Sequence, residues 1–194
     1  MDDSYVRSAA LLSRDDSRLL MIDMQEKLLP AMLHGERVVS NCVKLARGAR
    51  CLGVPLSGTE QYPRGLGPTV ATLAELIDRR PEKLRFSAAQ VLDWPGPHAD
   101  TEGTGARPKV VVAGIEAHVC VLQTVFDLLG AGYDVYVPAD AVTSRLELDW
   151  RIALERMSAG GAVICTTEGV LFEWCEVAGT DEFKQISRLV TGRE

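Results

Sequence analysis

Three residues of this chain have the types needed to carry out acyl chemistry together: the thiol of Cys120, the carboxylate of Asp23 and the ammonium of Lys83. Cys120 closes the stretch Gly114-Ile115-Glu116-Ala117-His118-Val119-Cys120, which follows the apolar run Lys109-Val110-Val111-Val112-Ala113 and leads into a helical pattern. That order predicts a strand-to-helix elbow, with the sulfur near the first free amides of a helix, a setting that favours thiolate. Asp23 ends another apolar run, Arg18-Leu19-Leu20-Met21-Ile22, where a carboxylate must find a partner. Asp23 would take the thiol proton, Lys83 would stabilise negative charge, and Cys120 would attack an electrophilic carbonyl carbon. Backbone amides around the elbow would hold the oxyanion, a well-placed donor being worth about 3 kcal/mol of barrier.

These groups meet only if the elements carrying them lie side by side, and hydrophobic patterning supplies such elements. Residues 18–23 read as a buried strand, and residues 36–52 place Val38, Val39, Cys42, Leu45, Ala46 and Ala49 at helical spacing before Gly53 ends the helix. Residues 54–59 form a second strand, followed by a Pro/Gly-rich loop over 61–68 and a helix across 70–78. Further strands are predicted at 83–86, 109–113, 133–138 and 162–166, and further helices at 118–129, 147–159 and 181–190. Alternation with near-continuous apolar strands implies an α/β fold, a three-layer α/β/α arrangement around a six-stranded parallel, Rossmann-like sheet. In such a sheet, reactive groups gather at the carboxyl ends of the strands, which is where Asp23, Thr59-Glu60-Gln61 and Cys120 fall. Residues 93–108, rich in Pro, Gly, His and Thr, read as an excursion or lid. The expected organisation is an N-terminal extension, 1–16, and a single domain, 17–194.

Composition narrows the function class. A chain of 194 residues with 46% hydrophobic content can bury a sizeable core. A net charge of −6 without a long basic block argues against a nucleic-acid surface. Residues 1–16 carry several charges and no apolar h-region, and no apolar run approaches bilayer length, so a soluble, cytoplasmic protein without a membrane partner is expected. Five cysteines at irregular spacings and three histidines suggest neither a disulfide framework nor a metal site. No Gly-x-Gly-x-x-Gly follows the first strand, so no nucleotide cofactor is expected, and no other cofactor is implied.

Taken in order, Leu20-Met21-Ile22-Asp23-Met24-Gln25, Glu82-Lys83-Leu84-Arg85-Phe86-Ser87 and Gly114 through Cys120 resemble the isochorismatase-like hydrolases, over about residues 17–188. The stretch Thr59-Glu60-Gln61-Tyr62-Pro63-Arg64-Gly65-Leu66-Gly67-Pro68 is most similar to the branch called isochorismatase domain-containing proteins. The resemblance implies Asp23 as general base, Lys83 as cationic partner, Cys120 as nucleophile, a cis peptide bond before Glu116, and the amides of Glu116 and Cys120 as the oxyanion hole. It also implies a homo-oligomer. Two departures bear on the substrate. Metal-dependent nicotinamidases of the family have Asp-x-His beyond the second strand, where this chain has Glu60-Gln61-Tyr62, and true isochorismatases need no thiol at the Cys120 position.

The expected reaction is hydrolysis of a small amide or related C–N bond through a thioester, with Gln25, Glu60, Gln61, Tyr62, Phe86 and His118 as candidate pocket residues. Two alternatives stand beside it. One is a scaffold of the same fold, in which Trp94, Trp150 and Trp174 serve assembly. The other is a vinyl-ether hydrolase that uses Asp23 but tolerates loss of the sulfur. Asp140 and Ser144 read as braces for the exit of the fifth strand rather than as reactive groups.

Overall fold

A computed structural model describes residues 5–100 and 105–192. The first four residues of the expected extension and residues 101–104 of the expected excursion lie outside the described residues. The strands are β1 (Ser17–Ile22), β2 (Leu56–Gln61), β3 (Glu82–Lys83), β4 (Lys109–Ile115), β5 (Asp134–Pro138), β6 (Val142–Thr143) and β7 (Val163–Cys165). The helices are α1 (Gly35–Leu52), α2 (Pro63–Leu66), α3 (Ala71–Ala74), α4 (Leu122–Gly130), α5 (Glu147–Ala159), α6 (Thr167–Cys175) and α7 (Asp181–Thr191). The sheet is parallel, in the order β3-β2-β1-β4-β5-β7, with the short β6 paired to the end of β4. The six expected strands are all present, and β6 adds a seventh.

Both central strands are buried throughout, and apolar beyond their polar first residues, because both faces are covered. On β1, Leu19 and Met21 enter the core shared with α1, α6 and α7, while Leu20 and Ile22 enter the core shared with α4 and α5. On β4, Val111, Ala113 and Ile115 face the first core, and Val110 and Val112 the second. Each of these side chains larger than Ala113 contributes about 1.5–3 kcal/mol on burial, which ties β1 and β4 into the molecule from two sides. Register then sets the site. Ile22 pairs with Thr59 on one side and Gly114 on the other, and Gln61 pairs with Lys83, so Asp23, Gln61 and Lys83 emerge at the same carboxyl edge.

Helices α3 and α6 differ from the sequence reading. The helix expected over 70–78 is only the turn α3, because Arg80 draws the carbonyls of Ala74 and Ile77 to its guanidinium. Helix α6 was not expected; Val170, Leu171, Trp174 and Cys175 are all buried, leaving little amphipathic contrast. Its start is marked by Thr166, whose side chain accepts from the Gly169 amide.

The first part of the excursion, residues 93–97, does not lie at the carboxyl edge. Tyr133, just before β5, donates its hydroxyl to the Pro95 carbonyl at 2.6 Å, and the Trp94 ring lies edge-on to Tyr133 and beneath the Arg18 guanidinium. These contacts seat residues 93–97 at the amino edge, so this part of the excursion is a strap on the opposite side of the sheet rather than a lid. Trp174 is fully buried, and Trp94 and Trp150 pack partly buried against the second core, so these rings serve packing rather than an assembly surface. The segment before β1 is integrated with the domain: Leu12 is fully buried, and Tyr136 donates to the Ala10 carbonyl at 2.8 Å.

Candidate active site

Asp23 leaves β1 with a φ of 51°, a left-handed conformation that aspartate tolerates better than most residues. The turn aims its carboxylate across the sheet edge, where it is fully buried. Thr59 on β2 donates to Oδ1 at 2.7 Å, and Lys83 on β3 donates to Oδ2 at 2.6 Å. A buried ion pair is tolerable only when its remaining hydrogen-bonding capacity is satisfied. Lys83 meets that condition. Its Nζ also donates to Gln61 Oε1 at 2.6 Å and the Phe86 carbonyl at 2.9 Å, with the Arg85 carbonyl at 3.4 Å. Every neighbour is an acceptor, which fits an ammonium and leaves Lys83 no role as proton acceptor.

Cys120 lies beside this pair, with 7% of its surface exposed. Burial is the main cause that pushes its thiol up to about 12, the Asp23 charge adds to the rise, and Lys83 pulls the other way. The expectation of a resting thiolate is therefore corrected. The elbow does not open directly into an α-helix: Ala117–Val121 forms a π-turn, and the amides of Val119 and Val121 both donate to the Glu116 carbonyl, at 3.1 and 3.2 Å. Cys120 sits inside this turn, where desolvation outweighs any benefit of helix amides. The Ile115–Glu116 peptide bond is cis. Just before it, Gly114 has a φ of 119°, and a Cβ there would collide with the Ile22 carbonyl oxygen, so only glycine lets β4 come this close to the Asp23 turn.

The other candidate residues separate into two groups. Gln25 and Gln61 are buried and Glu60 is partly buried, and side-chain atoms of all three are held by hydrogen bonds inside the fold. Gln61 Nε2 donates to the Leu84 carbonyl at 2.9 Å, which turns its oxygen toward Lys83. Gln25 clamps the Gln61 backbone, accepting from its amide at 2.8 Å and donating to its carbonyl at 3.0 Å. Glu60 Oε1 accepts from the Thr69 amide and hydroxyl at 2.8 and 2.7 Å. Tyr62 and Phe86, each about half exposed, flank Lys83 and remain available at the surface. His118 is partly buried, with Nδ1 2.9 Å from Ser144 Oγ and Nε2 3.9 Å from Asp149, while Arg145 pairs with the Glu116 carboxylate at 2.9 Å. Asp140 braces the exit of β5, accepting from the Thr167 amide at 2.8 Å and from Asn41.

Sequence reasoning placed Thr59 at the carboxyl edge without giving it a role, and it missed Thr124. Thr59 carries a positional signal, since it stands one register step from Asp23 on the neighbouring strand. Thr124 lies on α4, four residues beyond Cys120, a spacing shared by many core threonines.

A three-layer α/β fold with an acid, a cation and a thiol at the carboxyl edge of its parallel sheet defines a class, the hydrolases of the isochorismatase fold. Residues 17–169 match the isochorismatase domain, and the chain belongs to this family. It is 38% identical over 179 residues to isochorismatase domain-containing protein 2 of Danio rerio, covering 92% of this chain and 89% of that one. The structure of MAR1 ribonuclease from Caenorhabditis elegans superposes with a TM-score of 0.83 at 36% identity, over 94% of this chain and 93% of that one. The YcaC gene product of Escherichia coli, described as an octameric hydrolase of unknown specificity, shares the fold at 22% identity and a TM-score of 0.75, over 96% and 98% of the two chains.

Proposed function

We propose that this chain is a cysteine hydrolase that cleaves a small amide or a related C–N bond. The observation that carries the reading is the buried Asp23–Lys83 pair, 2.6 Å apart, set beside a protonated thiol. Asp23 takes the Cys120 proton as the sulfur bonds to the carbonyl carbon, so charge appears on sulfur only as it is used. The amides of Glu116 and Cys120 hold the resulting oxyanion, and the fixed Lys83 charge lowers the cost of the negative charge nearby. When the C–N bond breaks, Asp23 returns its proton to the departing nitrogen, releasing ammonia or a small amine and leaving a thioester. Asp23 then deprotonates a water that adds to the thioester carbonyl, and its proton passes back to the sulfur as the acid leaves.

Tyr62 and Phe86, beside Lys83, are the side chains this reading assigns to substrate contact. A cytoplasmic site of action is supported by five free cysteines, which persist in a reducing compartment. Among the described residues no helix is long and apolar enough to cross a membrane. Assembly into a homo-oligomer belongs to the same reading, supported by the octamer described for the YcaC gene product and by Leu84, Leu146 and Leu148, exposed at 77%, 63% and 58%.

The test is release of ammonia or amine from a panel of small carboxamides and N-carbamoyl compounds, with intact-mass detection of an acyl adduct on Cys120. Cys120→Ala and Asp23→Asn should each abolish turnover, and Cys120→Ala should abolish the adduct. Full turnover by Cys120→Ala would overturn the scheme. RNA belongs in the panel because of the name the Caenorhabditis elegans relative carries; its cleavage, in the absence of any amide hydrolysis, would also overturn it.

A further inference from the structure

Thr124 is fully buried on α4, one turn beyond Cys120. Its hydroxyl donates to the Cys120 carbonyl at 2.6 Å and accepts from the Ala88 amide at 2.8 Å. A threonine hydroxyl bonding to the carbonyl four residues back is a common local arrangement. Accepting from an amide 36 residues away is not local. Ala88 is itself fully buried, so its N–H depends on this oxygen for satisfaction.

The segment that Ala88 ends is the one that holds Lys83. From β3 the chain bends back so that the carbonyls of Arg85 and Phe86 face the Lys83 ammonium, at 3.4 and 2.9 Å. At the near end, Gln61 fixes the Leu84 carbonyl at 2.9 Å. At the far end, Thr124 fixes Ala88. One hydroxyl therefore joins the backbone of the thiol-bearing turn to the segment whose carbonyls cradle the cation. It has a single proton, which is directed to Cys120, so its lone pairs are left for Ala88, and serine is the closest substitute that keeps both bonds.

We propose that Thr124 is a positioning residue that sets the distance between the Cys120 sulfur and the Lys83 ammonium. The inference rests on the cysteine-hydrolase reading and deepens it, assigning the thiol-to-cation spacing to a side chain that touches neither substrate nor sulfur. Thr124→Val keeps the volume and removes both hydrogen bonds. It lets the Lys83 segment relax away from the elbow, so the thiol loses part of the charge that favours its ionisation.

The test is a double-mutant cycle read by iodoacetamide alkylation of Cys120, which requires no substrate. The second-order rate constant is measured by peptide mass at about pH 9 in the native protein, Thr124→Val, Lys83→Met and the double variant. Each single variant is expected to alkylate about tenfold more slowly than the native protein, the equivalent of one pKa unit. The double variant is expected to be no slower than Lys83→Met alone, because Thr124 acts through the cation. Thr124→Ser should restore the native rate to within about twofold, and with an amide substrate Thr124→Val should lower kcat about tenfold while KM changes less than about twofold.

An unchanged alkylation rate in Thr124→Val, or an equal further slowing in the Lys83→Met background, would overturn the inference while leaving the hydrolase reading intact. No effect of Lys83→Met itself would instead remove the cation from the chemistry and overturn both. If Thr124→Val does not fold, Thr124→Ala, which leaves room for a water at the Ala88 amide, takes its place in the same cycle.

Discussion

Thr59 and Lys83 grip opposite oxygens of the same carboxylate: the Thr59 hydroxyl donates to Asp23 Oδ1 at 2.7 Å, and the Lys83 ammonium to Oδ2 at 2.6 Å. Together with the left-handed turn at Asp23, these two bonds fix the plane of the carboxyl group and hence the direction in which it can take a proton. Thr59→Val preserves shape and removes one grip. Stability should fall by about 1–3 kcal/mol, as expected when a buried charged acceptor loses a partner, read from a urea midpoint. Turnover should fall about tenfold, and Thr59→Ser should recover most of it.

Because burial and Asp23 hold the Cys120 thiol at about 12, alkylation should accelerate with pH without an early plateau. The rate should rise about tenfold per pH unit up to about pH 11. Asp23→Asn removes a negative neighbour and should shift the curve to lower pH, giving faster labelling at any given pH below the plateau. A plateau already reached below about pH 8 would show a resting thiolate and contradict the proton route through Asp23.

The same burial has a stability consequence. The thiols of Cys120 and Cys165 are both pushed up from 9.0 to about 12, and burial pushes Cys42 up further. In the unfolded chain these groups lose their protons near pH 9, while in the folded protein they keep them. The unfolded state then binds fewer protons, so the stability these thiols confer is full below pH 9 and is lost as pH rises toward 12. Thermal midpoints recorded across that range should fall, and Cys165→Ala should flatten part of the decline.

Gly114 meets the Ile22 carbonyl at a distance that admits no Cβ. Gly114→Ala must push β4 from β1 where the acid and the elbow adjoin, and its φ of 119° is hostile to alanine in any case. A loss of about 2–4 kcal/mol in denaturant stability is expected, with accelerated labelling of Cys120 whose pH profile moves down toward that of an exposed thiol as the pocket opens. Native-like labelling in this variant would mean that the close approach does not shape the site.

Gln61 was expected in the substrate pocket, and its position shows both the reach and the limit of reading a sequence. The strand ends were legible to within about two residues, because Asp23, Thr59 and Ala113 each end a strand that patterning predicts, and a parallel sheet brings strand ends together. Side-chain direction at those ends was not legible. Whether Gln61 faced substrate or Lys83 was decided by the Leu84 carbonyl, which belongs to another strand's exit. The thiolate expectation failed for a related reason: an elbow motif specifies a turn, but burial at 7% exposure comes from the packing of distant segments. The regular parts of α1 and α5 were readable to within a residue, since caps and apolar spacing are local. The short α3 was not, because Arg80 ends it from outside.

The strand that carries Lys83 is only two residues long and forms the outer margin of the sheet, whereas Asp23 and Cys120 leave its two best-buried strands. Local opening begins where few contacts resist it. Amide exchange should therefore be fastest at residues 82–83 and slowest along β1 and β4. On gentle warming the cation would fray from its acid and thiol while the middle of the sheet still stood, so catalytic competence would be forfeited well before the fold.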